Sequence, residues 1–93
     1  MKQAKIKLYQ RIALTQDLPE HNLCTGDVAV VVEHLPGTPA AGGEDGYALE
    51  VFNAIGETIA VVIVPASAVK PLTESEILQT RPLSPTEGGP ADR

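Results

Sequence analysis

His21 and Cys24 stand three apart in one polar segment, the His-x-x-Cys spacing at which an imidazole and a thiolate can share a metal ion. Zinc takes four protein ligands in a structural site, or three plus water in a catalytic one, so two residues are not a set. His34 and Asp27 are the residues that could complete it, but no spacing brings them to the pair. Read as a nucleophile with His21 or His34 as its base, the same thiol lacks a third group to orient the base and any oxyanion motif. A free cysteine ordinarily behaves as a small apolar side chain. The glycines of Pro36-Gly37 and Gly42-Gly43 could suggest a phosphate cradle, yet no helix follows them and Glu44 and Asp45 would repel a phosphate, so they read as a linker. The expectation is no catalytic residue, no cofactor and no metal.

Charge gives the next constraint. Seven Lys and Arg against twelve Asp and Glu leave a net charge of −5, which disfavours general nucleic-acid binding because that affinity comes mostly from cations replacing phosphate counterions. The cations are unevenly placed: Lys2, Lys5, Lys7 and Arg11 crowd the start, while eight acids and only Lys70 occupy positions 12 to 72. Lys5, Lys7, Tyr9 and Arg11 share one parity and would form a basic stripe with one aromatic. Such a stripe can bind RNA, can pair with an acidic protein, or can simply block edge pairing of a first strand. Aromatics are few. Tyr9, Tyr47 and Phe52 with no Trp cannot furnish the clustered rings that dock polyproline or cage a methylated lysine.

The elements that must position these residues are strands. At 93 residues the chain makes one small domain with little room for a deep substrate pocket. Its lone cysteine excludes an internal disulfide. The start lacks a signal-peptide apolar segment and no run reaches 18 apolar residues, so the expected location is the cytoplasm. Ile6, Leu8, Ile12 and Leu14 alternate with polar neighbours and predict a first strand. Residues 15–27 read as an ordered loop whose Leu18 and Leu23 fold over one end of the core. Val28 to Leu35 is a β-branched second strand of open parity, with a bulge expected near Ala29. Pro36 to Gly46 is a long Pro- and Gly-rich surface loop.

Tyr47 to Asn53 is a third strand on which Glu50 marks the solvent face, placing Tyr47, Leu49 and Val51 inside. Asn53 to Glu57 is a turn with Gly56 at positive φ. Thr58 to Val64 carries no charge and five β-branched aliphatics, a segment that would invite aggregation on an exposed edge. It is therefore expected to lie centrally or under a partner. Pro65 to Ala68 suits one helical turn, and Val69 to Leu72 a short edge strand limited by Pro71. Leu8, Val28, Leu49, Val51 and Val62 are the expected core. Beyond Leu72 the composition shifts to Pro and Gly, predicting a flexible tail over 73–93 after a domain of residues 1–72. Thr73-Glu74-Ser75-Glu76 has the form of a capping box, but too few residues precede Pro82 to sustain a helix alone.

Five short strands in this order form an SH3-like barrel, an all-β class. The segments Asp17-Leu18-Pro19-Glu20-His21-Asn22-Leu23, Gly26-Asp27-Val28, Tyr47-Ala48-Leu49-Glu50-Val51-Phe52, Gly56-Glu57-Thr58-Ile59-Ala60-Val61-Val62 and Val69-Lys70-Pro71-Leu72 together resemble the bacterial domain-of-unknown-function family 4926, over roughly residues 8 to 72. The Pro36–Gly46 insert and the tail depart from that pattern. The resemblance implies a small barrel encoded beside other small proteins, some toxin-like, with no catalytic residues to carry over. The expected function is thus a non-enzymatic protein-binding module, an accessory, immunity or antitoxin-like subunit for the product of a neighbouring gene. An RNA- or ribosome-associated module of the KOW type, using the basic stripe, is one rival. A small structural subunit of a larger enzyme is another. The inward parity of Thr58 to Val64 is open, but both parities cannot be buried at once; with Phe52, which Glu50 places on the outer parity, Ile59, Val61 and Ile63 are the expected interface, for a protein partner or for self-association.

Overall fold

The structure, a computed structural model, describes residues 6–37 and 43–83. Five strands form one antiparallel sheet: β1 (Arg11–Leu14), β2 (Val28–Leu35), β3 (Gly46–Phe52), β4 (Thr58–Pro65) and β5 (Val69–Pro71). The order across the sheet is β4-β3-β2-β1-β5. The sheet is not closed, and β4 and β5 are its edges. Two short 3₁₀ turns, Pro19–His21 and Ala66–Ala68, complete the elements.

Pairing register settles the parities. Leu49 lies opposite Val31 and Val62, and Tyr47 opposite Val64, so these side chains share the inner face with Ile12, Leu14, Ala29, Val51 and Val69. Ile12, Leu14, Val31 and Leu49 are the large side chains removed from solvent almost completely. Leu18 and Leu23 join this core as the loop reading requires, and their backbones bond reciprocally (Leu18 N to Leu23 O 2.9 Å, Leu23 N to Leu18 O 3.1 Å) around the first 3₁₀ turn. Asn22, in the left-handed region at φ 63°, ends that turn.

Four expectations change. The first strand begins at Arg11, because the chain turns at Lys7–Gln10, where the Gln10 N–H donates to the Lys7 carbonyl and Tyr9 takes φ 67°. Leu8 therefore sits on a turn, 51% exposed, outside the core. Val28 is only half-buried because it pairs with Ala13 on the outer face, where Ile12 and Ala29 turn inward. The β2 bulge falls between Val31 and Glu33, not near Ala29. Finally, of the two placements expected for β4, central or under a partner, the sheet order removes the central one, since β4 is an edge strand.

The β3–β4 hairpin turn is held by Asn53, whose carboxamide oxygen accepts the N–H groups of Ile55 (3.1 Å) and Glu57 (2.9 Å). Gly56, at φ 91°, supplies the backbone conformation this turn requires. After β5 the capping-box residues make a turn and no helix: the Thr73 N–H donates to Glu76, whose carboxylate also pairs with Lys70. Of the expected tail, residues 73–83 have no regular structure but are tied down at Glu76 and at Arg81, while residues 84–93 lie outside the described residues.

Candidate interaction face

The outer face of β3–β4 is built by two facts of register. Glu50 pairs with Val61 and Ala48 with Ile63, which puts Val61 and Ile63 outward and Val62 and Val64 inward. A register shift between Val51 and Phe52 then brings Thr58 opposite Phe52 and leaves Ile59 as the extra residue on the same outward parity. Phe52, Ile59, Val61 and Ile63, expected together from sequence, are thereby brought onto one face, 37%, 42%, 63% and 65% exposed. The Thr58 hydroxyl donates to Glu50, fixing a carboxylate beside the aliphatic strip. Exposed Glu33, opposite Ala48, adds a second carboxylate to the outer face.

The described members of the basic stripe do not share one strand. Lys5 lies outside the described residues, Lys7 and Tyr9 belong to the Lys7–Gln10 turn, and only Arg11 is on a strand. The three aromatics are likewise separated: Tyr47 is in the core, Phe52 is on the outer face, and Tyr9 is exposed on its turn. His21 is exposed in the first loop and Cys24 is half-buried, its N–H donating to the Asp27 carboxylate (2.8 Å). Among the described residues no three of His, Cys, Asp or Glu gather as metal ligands.

Two further side-chain contacts escaped the sequence reading. Arg81 grips Asp27 through Nε (2.9 Å) and Nη2 (2.6 Å), and Nη2 also donates to the Asn22 carbonyl (3.2 Å). Burial works to raise the Asp27 carboxyl, but the Arg81 hydrogen bonds and charge, with the Cys24 N–H, outweigh it and hold the group below the ordinary carboxylate range. Separated by 54 positions, these residues offered no local signal. His34 Nε2 meets Asp45 at 2.8 Å, and Asp45 also accepts the Gly37 N–H (2.8 Å). Ala66 N–H donates to the Asp45 carbonyl and Ser67 N–H to the Glu44 carboxylate, so the stem of the second loop is pinned to the turn after β4. Spacing gave no pointer to this cluster either. Residues 38–42 of that loop lie outside the described residues.

With the fold and its exposed strip established, comparison with known proteins adds one finding. The family model for "Domain of unknown function (DUF4926)" matches residues 8–71, which takes in all five strands. The chain belongs to the DUF4926 family. No curated protein and no solved structure matches it. The DUF4926 match ends at Pro71, so the segment that carries Arg81 lies beyond it, whereas the strip on β3–β4 lies wholly within it.

Proposed function

We propose that this chain is a non-enzymatic, cytoplasmic protein-binding module, an accessory subunit of immunity or antitoxin type that pairs with the product of a neighbouring gene through Phe52, Ile59, Val61 and Ile63. One observation carries the reading: an uncharged strand lies at the edge of the sheet with its outward side chains bare. Contiguous exposed apolar surface of this type marks protein contacts. A turn separates Lys7 and Tyr9 from the strand that carries Arg11, so the three do not line one strand face, which weighs against the RNA-binding stripe. No helix among the described residues is long and apolar enough to cross a membrane.

The test is co-expression with the adjacent gene's product. Phe52→Ser combined with Val61→Thr should abolish co-purification while the far-ultraviolet spectrum stays unchanged, and Lys5→Glu with Lys7→Glu should leave it intact. If the apolar changes do nothing and the charge changes release bound RNA instead, the KOW-like reading replaces this one.

A further inference from the structure

The two edges of the sheet are treated differently. β5 is three residues long and carries Lys70 and Pro71, the usual devices that keep an edge from recruiting a strand. β4 is eight residues long, has no charged side chain, and its single Pro is the terminal Pro65. Its bulge sits at Ile59, near the start, so Ala60 to Val64 pairs in unbroken register with β3 on one side and, among the described residues, with no strand on the other. Alternate N–H and C=O groups of such an edge point away from the sheet, and what satisfies a row of this kind is another extended backbone.

Charge narrows the choice of that strand. From Ile12 to Val69 the sequence has no Lys or Arg, so β2, β3 and β4 are without a single one. The charged groups around the strip are Glu33 and Glu50 on the outer face, Glu57 at its start, and Glu44 and Asp45 before Gly46, which pairs with Pro65 at its end. Among the described residues no Lys or Arg lies on that face before Arg11, three strands away on β1. His34, near its far end, is engaged with Asp45. A second copy aligned antiparallel along β4 would set Glu57 of one chain near Glu44 and Asp45 of the other, an unfavourable like-charge approach.

Resting on the reading of β3–β4 as a protein-binding face, we propose that β4 accepts by strand addition an extended segment of a different protein, with aliphatic side chains on alternate positions and Lys or Arg at both ends. Backbone bonds along Ala60 to Val64 give the docking, Val61 and Ile63 meet the aliphatics, and the acidic ends select the cations.

The experiment uses the full chain and three synthetic peptides with the same alternating valine centre: one with Lys ends, one with Glu ends, and one with Lys ends and N-methylated backbone at alternate residues. Titration is followed by amide chemical shifts and amide exchange, with sedimentation equilibrium on the chain alone. Expected are shifts and added exchange protection on β4, binding of the Lys-ended peptide at least tenfold tighter than the Glu-ended one, loss with the N-methylated peptide, weakening as salt rises, and loss in Val61→Lys. Equal binding of the Lys- and Glu-ended peptides, or of the N-methylated one, overturns this inference and leaves the interaction face standing. A chain dimer dissolved by Val61→Lys, with no peptide bound, also overturns it and assigns the edge to a second copy. A monomer that binds none of the peptides overturns it too, and the co-expression result then decides whether the interaction face falls with it.

Discussion

At the scale of single residues, three carboxylates hold the first loop and the segment after β5. Asp17 accepts the Thr25 N–H and hydroxyl, Asp27 holds Arg81 and the Cys24 N–H, and Glu76 pairs with Lys70 and accepts the Thr73 N–H. Each is held below the ordinary carboxylate range: Asp17 first by the Thr25 backbone, Asp27 by its partners against burial, Glu76 first by Lys70. A carboxylate whose folded pKa is depressed stabilises the native state above its unfolded pKa and loses that contribution as pH falls through the folded value. Stability should therefore be level from neutral pH down to about 5 and decline below it, as unfolded Asp and Glu begin to protonate. Urea midpoints taken across this range check the sign. Asp27→Asn should lower the neutral midpoint and make the acid decline shallower, because the most enclosed of the three groups no longer titrates. An equally steep decline in Asp27→Asn would mean that the Arg81 contact contributes nothing.

At the scale of elements, Leu49 is the side chain on which the register turns. It is fully buried on β3, between Val31 of β2 and Val62 of β4, and Leu49→Ala should cost roughly 2–5 kcal/mol by chemical denaturation, the range for emptying a buried Leu site. Ile63→Ala, on the bare outer face, should cost well under 1 kcal/mol. Similar losses at the two sites would put the inner and outer faces the wrong way round. Glu50 made this register legible in the sequence, since one charge in an apolar strand assigns both parities. Gly56 marked the hairpin turn, and the β-branched runs marked β2 and β4 to within a residue. The first strand was misjudged because Ile6 and Leu8 continue the parity of Ile12 and Leu14 through a turn made by Tyr9 at positive φ, a residue type that rarely announces one. The position of β4 was hidden for a different reason. Sheet order is decided by pairings between distant segments, and a hydrophobic run reads the same in the centre as at an edge under a partner. Which parity of β4 faces outward was hidden as well, because seven uncharged residues carry no marker of the wet face, and only the pairing with β3 decides it.

At the scale of the whole molecule, the outer surface of the sheet divides into a covered half and a bare half. On β1 the outward Ala13 is buried, and with Val28 and Lys70 it lines a trough of about 290 Å³ whose other wall is residues 76–81. Arg81 anchors that segment to Asp27 with side chains only 28% and 20% exposed, whereas Ile77 and Leu78 face solvent. The strap is thus held by the ion pairs of Glu76 and Arg81. Exposed ion pairs contribute at most about 1 kcal/mol, and a two-pronged, half-buried one belongs at the upper end of that range. Three variants separate the possibilities. Removal of residues 84–93 should leave the urea midpoint unchanged, removal of 73–93 should lower stability by about 1 kcal/mol, and Arg81→Ala in the full chain should reproduce most of that loss. Ile77→Ser should have no effect, since that side chain is 87% exposed. If the long truncation is silent, the strap adds nothing to the fold. If it is costly while Arg81→Ala is silent and Ile77→Ser is not, apolar contacts hold the segment, and the covered half of the sheet is maintained by the same kind of surface that β4 leaves bare.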